Sequence, residues 1–318
     1  MKNSRYLDVY GLSVRGSAHN KNHDHFAIAT LNKSMRLHQS NLTIDDDSRV
    51  HGHNQGHLFL VADGIGGGPS PSRASGTAVD SVVQYFLNEM PWYHLADGQP
   101  EDVTLALEDA LQNAQSELLN RARPGEAGLG TTMTLAFVFW PHLYIAHVGD
   151  SRCYLKRGKE LRKLTTDHTL AEVRKKVDGT VTERSKHMLW NAVGGLEEQL
   201  FPEVKHLVLQ PGNVLALVTD GVTRNESESE LLAALKRGEA AEPTCDALVG
   251  RSGQDDRTAI VARFLPHAFA GAATAPAASP PQLDAHRELP AKNGTPTGCQ
   301  TPRRSRVASQ SVPAFAGA

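Results

Sequence analysis

The sequence predicts a single α/β or β-rich domain filling most of the 318 residues, on three observations. Short apolar runs bounded by turn residues recur, among them Leu58–Ala62, Leu135–Trp140 and Val214–Thr219. They are far too short to cross a membrane as helices and read as buried strands. Two successive stretches, 71–90 and 102–121, repeat apolar residues at helical spacing. Composition then changes sharply near Pro266: residues 267–318 are mostly Ala, Pro, Gly, Ser and Thr around a basic knot, Arg303-Arg304-Ser305-Arg306. Such a tail cannot bury enough apolar surface to offset the entropy of ordering, and disorder is expected there. The folded domain is therefore placed at residues 1–266, a common size for one domain.

In order, Asp8 to Val14 alternates loosely and reads as a first strand. A polar turn, Gly16 to Asp24, leads into a second strand, His25 to Leu31. Asn32 to His57 is hydrophilic and reads as a long hairpin connection. Its His51, His53 and His57 are of metal-binding type, but surface histidines in a polar loop usually bind nothing specific. After the Leu58–Ala62 strand, Val79, Val82, Val83, Phe86 and Leu87 make one face of a helix that Pro91 stops. Val103, Leu107, Ala110, Leu111, Ala114 and Leu118 make a second, so an antiparallel helix pair on a sheet is expected. Thr131–Trp140 and His142–His147 form a hairpin at Pro141, and Cys153-Tyr154-Leu155 continues as a strand turning at Arg157-Gly158-Lys159. Leu170 to Trp190 is charged and reads as a short helix plus a surface flap. Val204–Leu209, Val214–Thr219 and Thr258–Phe264 are the last strands, with short helical pieces at 231–236 and 246–248 between the second and third.

A formal net charge of −2 leaves no electrostatic footprint for nucleic acid or an anionic membrane. Cys153, Cys245 and Cys299 are too far apart for a zinc pattern or a disulfide framework and suit a reducing compartment. The opening residues, MKNSRYLDVYGLSVRG, lack the apolar core of a secretion signal. A soluble, cytoplasmic monomer is expected.

The centre of the chain is Leu58-Phe59-Leu60-Val61-Ala62-Asp63-Gly64-Ile65-Gly66-Gly67-Gly68, a buried strand delivering a carboxylate into open backbone. An ordinary Asp-Gly turn is one reading. A dinucleotide loop is another, but the third glycine of that fingerprint falls on Pro69, and Asp63 would repel a pyrophosphate. A hard cation is the natural partner of such a carboxylate and a free carbonyl. The theme recurs. Asp150 and Asp220 also follow apolar strands beside glycine, Asp255 begins a strand, and Asp24 precedes another. Carboxylates without cysteine ligands suit magnesium or manganese, and paired ions can activate a water toward a phosphoryl group.

The order of motifs resembles the metal-dependent serine/threonine protein phosphatases of type 2C, in their bacterial form. The stretches that carry the resemblance are LFLVADGIGGG (58–68), GTTMTLAFV (130–138), HVGDSRCYLKR (147–157), LTTDHT (164–169), NAVGG (191–195), LALVTDGVT (215–223) and QDDRTAIVARF (254–264). It implies an α+β fold, an αββα four-layer sandwich of two antiparallel sheets flanked by helix pairs. It also implies hydrolysis of phosphoserine and phosphothreonine in proteins by a metal-activated water, with two to three Mn2+ or Mg2+ ions. By position, Asp63 would bridge two ions and the Gly64 carbonyl would bind one. Asp220 and Asp255 would ligate the ion on their side, and Asp150 a third. Asp24 would act near the metals. Partners would be phosphoproteins made by a serine/threonine kinase.

Two departures stand out. The family's first motif usually reads Arg-x-x-Asn-Glu-Asp; here it reads His19-Asn20-Lys21-Asn22-His23-Asp24, so His19 stands where an arginine holds the substrate phosphate. Arg15 is an alternative source of that charge. The last motif, usually Asp-Asn, is Asp255-Asp256, and the substrate-facing flap looks short. A phosphatase-like binding or sensor module with impaired catalysis is therefore the alternative reading, and a small phosphoester is an alternative substrate. Against the first, mutually repelling carboxylates have no reason to cluster without metal.

Overall fold

The computed structural model describes residues 6–36, 49–66, 70–90, 100–121, 129–177, 179–195, 199–224, 227–236, 240–250 and 253–265. The tail predicted to be disordered, 267–318, lies outside them. In chain order the strands and helices begin with β1 (Leu7–Val14), β2 (Asp24–Arg36), β3 (Arg49–Ile65), α1 (Ser70–Asn88) and α2 (Pro100–Asn120). Then come β4 (Gly130–Thr131), β5 (Met133–Phe139), β6 (His142–Val148), β7 (Arg152–Arg157) and β8 (Glu160–Lys163). The flap holds α3 (Leu170–Val177) and α4 (Glu183–Lys186). The chain continues with β9 (Val193–Gly194), β10 (Glu203–Val208), β11 (Val214–Val218), α5 (Asp220–Thr223), α6 (Glu228–Lys236), α7 (Ala241–Val249) and β12 (Arg257–Phe264).

The strands form two antiparallel sheets. One runs β1-β12-β11-β7-β8; the other runs β10-β6-β5-β3, with β2 also on β3 and with β4 and β9 added at its end. Strand periodicity explains the layers. In β3, Leu58, Leu60 and Ala62 face α1 and α2, while Phe59 and Val61 face the other sheet. In β11, Leu215 and Leu217 share that inter-sheet core, while Val214, Ala216 and Val218 face α6 and α7. Strands covered on both faces must be apolar at every position, which is why they read as continuous runs rather than as alternation. Each Leu or Phe side chain so buried is worth ~1.5–3 kcal/mol against exposure. Three cores in series make the four-layer αββα sandwich.

The second helix buries all six residues expected of it, Val103, Leu107, Ala110, Leu111, Ala114 and Leu118. In α1 the buried arc is instead centred on Ala74, Ala78, Val82 and Phe86, which leaves Leu87, expected on the apolar face, 69% exposed. The hydrophilic stretch 32–57 also departs from expectation. Residues 32–36 and 49–57 are not a connection but the outer part of a β2–β3 ladder that runs from Asp24↔Asp63 out to Arg36↔Arg49. Cross-strand pairing on β3 overrides local polarity there. His57 is buried, bonded to Thr30 Oγ1 at 3.3 Å, and held neutral by a ring pKa lowered to about 4 through desolvation, so it is a packing residue. The side chains of His51 and His53 are outside the described set. The helical pieces near 231–236 and 246–248 are full two-turn helices, α6 and α7, that close the outer layer.

Candidate metal centre and active site

The register of β2 on β3 sets Asp24 opposite Asp63. The Asp63 backbone is pinned on both sides: its N–H donates to Thr132 Oγ1 at 3.0 Å, and its carbonyl accepts from the Thr132 N–H and the Thr131 hydroxyl, both at 2.8 Å. The strand runs two residues past Asp63, because Gly64 and Ile65 pair with β4. A Cβ at Gly64 would stand 2.2 Å from the Pro71 carbonyl oxygen, so glycine is what lets the start of α1 lie against the strand. Asp24 Oδ2 accepts from the hydroxyls of Thr219 at 2.8 Å and Thr258 at 2.7 Å. These residues belong to the other sheet's side of the sandwich, so Asp24 ties the two sheets together at this end. Its Oδ1 is buried and has no hydrogen-bond partner among the described residues.

Asp150 follows β6 across Gly149, whose φ of +108° and contact with Thr132 leave no room for a side chain. Asp220 follows β11 and opens α5; its Oδ1 is likewise buried and unpartnered. Asp255 lies just before β12. Asp63, Gly64, Asp150, Asp220 and Asp255 line one cleft of about 420 Å³, together with His19, His23 and Arg224. Burial raises the Asp63 carboxyl well above its usual range, and the charges of Asp24, Asp220, Asp150 and Asp255 add to it. Burial likewise lifts Asp24 and Asp150 to about 7 and raises Asp255. Hard oxygen donors that repel one another, two of them orphaned, fit a hard divalent cation: added positive charge would relieve both the repulsion and the unpaired atoms.

The structure places His19 in the cleft with the carboxylates. The His19 ring lines the cleft, but its Nδ1 is bound to Asp256 Oδ2 at 2.8 Å, and the ring stacks on His23 at 4.3 Å. Arg15 donates to the His19 carbonyl. Asp256, which departs from the usual Asp-Asn of the last motif, is 1% exposed and organises the whole turn. Its Oδ1 accepts from the Gly16 N–H at 2.7 Å and its Oδ2 from the His23 N–H at 2.8 Å. Sequence reasoning missed this pin because its partners are more than 230 residues away. It also missed Arg224, whose guanidinium binds Asp220 and Asp255. The signal available was an arginine one helical turn after the Asp-Gly of LALVTDGVT, at the i, i+4 spacing at which opposite charges meet.

Beside the cleft lies a groove of about 670 Å³, walled by Asp150, Arg152, Asp167 and the flap residues Glu183, Lys186 and His187. Arg152 is fixed there by a fork onto Asp167, from Nε at 3.1 Å and Nη2 at 2.6 Å. The flap is closed on itself by a capping box in which Thr182 and Ser185 bond reciprocally.

The family model described as protein phosphatase 2C matches residues 36–266. The chain belongs to the protein phosphatase 2C family. As a member, it is a protein serine/threonine phosphatase, a phosphoric monoester hydrolase. A curated relative, the serine/threonine phosphatase stp of Listeria monocytogenes, is 26% identical over 240 residues, covering 68% of this chain and 92% of that protein. The fold is shared with the serine/threonine phosphatase Stp1 of Staphylococcus aureus, with a TM-score of 0.65 at 22% identity over 83% of this chain and 97% of that one. It is shared also with the catalytic domain of the phosphatase PstP, solved in complex with two manganese ions, with a TM-score of 0.59 at 23% identity over 82% and 99% of the two chains. In this phosphatase the two sheets and both helix layers stand as the family fold requires.

Proposed function

We propose that this phosphatase hydrolyses phosphoserine and phosphothreonine in proteins, using two to three divalent ions, Mn2+ or Mg2+, held by Asp63, Gly64, Asp150, Asp220 and Asp255. The observation that carries this reading is the convergence of four carboxylates in one cleft with Asp24 paired beside Asp63, and with Asp24 Oδ1 and Asp220 Oδ1 buried and unpartnered among the described residues. Bound there, the ions supply positive charge and an acidified water for phosphoryl transfer. The chain supplies the rest. Thr131 and Thr132 fix the backbone that presents the Asp63 carboxylate and the Gly64 carbonyl, both of which would hold the ions. Thr219 and Thr258 hold Asp24 by one oxygen, leaving Oδ1 to orient the attacking water. As an imidazolium, His19 would keep Nδ1–H on Asp256 and donate Nε2–H to a phosphoryl oxygen.

Residues 1–266 form the catalytic unit and 267–318 an accessory tail. The physiological partners are phosphoproteins made by a serine/threonine kinase. The working form is a monomer in the cytoplasm; buried free thiols at Cys153 and Cys245 agree with a reducing compartment, and among the described residues no helix is long and apolar enough to cross a membrane.

The deciding experiment is turnover of a phosphothreonine peptide by the full chain with Mn2+, with excess chelator, and with Asp63→Asn. Turnover that needs Mn2+ and disappears in Asp63→Asn, with the fold retained, is expected. Full activity in chelator or in Asp63→Asn would sink the metal assignment, and a protein that binds phosphopeptide without turning it over would favour the sensor reading.

A further inference from the structure

Arg224 caps the C-terminal end of α5, at the rim between the cleft and the groove, and lines both. Its Nε and Nη2 donate to Asp220 Oδ2 at 2.9 and 2.5 Å, and its Nη1 meets Asp255 Oδ2 at 2.5 Å. A guanidinium carries five N–H donors, so three are committed and one remains on each terminal nitrogen. The side chain of Arg224 is 41% exposed, against 11% for Asp220 and 23% for Asp255, so the guanidinium sits outermost and meets an incoming ligand first.

Among the described residues that line the cleft, Arg224 is the one arginine or lysine; Arg152 lines only the neighbouring groove. Arg152 grips Asp167 with Nε and Nη2, and its Nη1 reaches Tyr154 Oη at 3.4 Å. Arg15 is turned onto the His19 carbonyl and is not among the residues lining either space. The Nδ1 of His19 is held by Asp256. A phosphoryl dianion entering the cleft itself therefore meets, among the described residues that line it, one permanently charged fork, at position 224.

We propose that Arg224 binds the phosphoryl group of the substrate with its two remaining N–H donors, while its other three hold Oδ2 of Asp220 and Asp255 in place. It supplies from the end of β11 the permanent charge that a histidine at position 19 lacks. The assignment rests on the phosphatase reading above and deepens it. It also divides the work of the Asp220 carboxylate: Oδ2 stays on the arginine, and the buried, unpartnered Oδ1 is left for an ion. A planar fork, always charged, suits a tetrahedral dianion better than an ammonium does, so lysine is not an equivalent replacement.

The test compares the full-length protein with Arg224→Gln and Arg224→Lys in three measurements. These are Mn2+ binding by calorimetry, the inhibition constant of inorganic phosphate, and the Michaelis constant for a phosphothreonine peptide, the last two at saturating Mn2+. A charge-assisted hydrogen bond removed from a bound anion predicts that Arg224→Gln raises the phosphate inhibition constant and the Michaelis constant at least tenfold, with Arg224→Lys intermediate. Mn2+ binding should be unchanged or tighter in Arg224→Gln, because a competing cation has left its ligands. Unchanged phosphate inhibition and Michaelis constants in a folded Arg224→Gln, together with altered Mn2+ binding, would show that Arg224 only positions the carboxylates and would overturn the proposal. Should Arg224→Gln not fold, Arg224→Lys decides: phosphate inhibition equal to wild type overturns it. A wild-type protein that takes up no Mn2+ in the calorimeter overturns the metal reading itself, an outcome separate from either arginine result.

Discussion

Asp24→Asn separates what the carboxylate cluster costs from what it does. Asp24 is 4% exposed, and burial, aided by Asp256 and Asp220, raises its carboxyl from 3.8 to about 7 despite the two threonine hydroxyls that favour the charged form. Between these two values the folded chain holds a proton that the unfolded chain has released, so stability must fall as pH rises. The loss is negligible near pH 4 and complete just above pH 7. At about 1.4 kcal/mol per pH unit it reaches on the order of 4 kcal/mol. Asparagine keeps an acceptor for Thr219 and Thr258 and cannot ionise. Metal-free Asp24→Asn should therefore melt several degrees above wild type at pH 8, since each kcal/mol moves the midpoint by ~2–4 °C in a domain of this size. The two proteins should converge at pH 4. Saturating Mn2+ should shrink the gap by favouring the wild-type carboxylate, and peptide turnover should fall in the variant. Differential scanning fluorimetry across pH, with and without Mn2+, reads all of this. A gain equal at pH 4 and pH 8, or a lower midpoint at pH 8, would refute the reasoning.

Three further outcomes are expected. Gly64→Ala would place a methyl 2.2 Å from backbone at Pro71 that no side-chain rotation can relieve; the melting temperature should drop and Mn2+ stabilisation should vanish, and an unchanged midpoint would contradict the close packing of α1 on β3. Cys153 and Cys245 are buried and burial raises both thiols, Cys245 to about 12; neither should react with iodoacetamide in the native protein at pH 7, as peptide mapping by mass spectrometry will show, and both should react in denaturant. Removal of residues 267–318 should leave the melting temperature and peptide turnover nearly unchanged, and a fall of more than a few degrees would mean that the tail packs on the domain.

Much of this site could be read locally. Asp63, Asp150 and Asp220 each follow an apolar run and sit beside a glycine, and a strand that must be apolar on both faces announces itself as such a run. The face of α2 was legible residue by residue, because 3.6-residue periodicity is a local property. The edge of α1 was not: whether Leu87 is covered depends on how far the neighbouring layer extends, and it stands 69% exposed. The same limit hid the length of β2 and β3, whose polar outer halves are strands because each pairs with the other.

What the sequence by itself determined was the set of elements, the family, and the carboxylates delivered to strand ends. What only the tertiary structure decided was which groups meet. Asp24 accepts from a threonine 195 residues away, Asp256 takes the N–H of a glycine 240 residues before it, and Arg224 joins two carboxylates that arrive on separate strands. The physical reason is that hydrogen bonds and ion pairs act over about 3–4 Å, while sequence patterns report only which face a residue shows to its own element. The roles of Asp256, as the pin of a turn, and of Arg224, as the cation at the mouth, exist only once two sheets have packed and brought their ends to one rim.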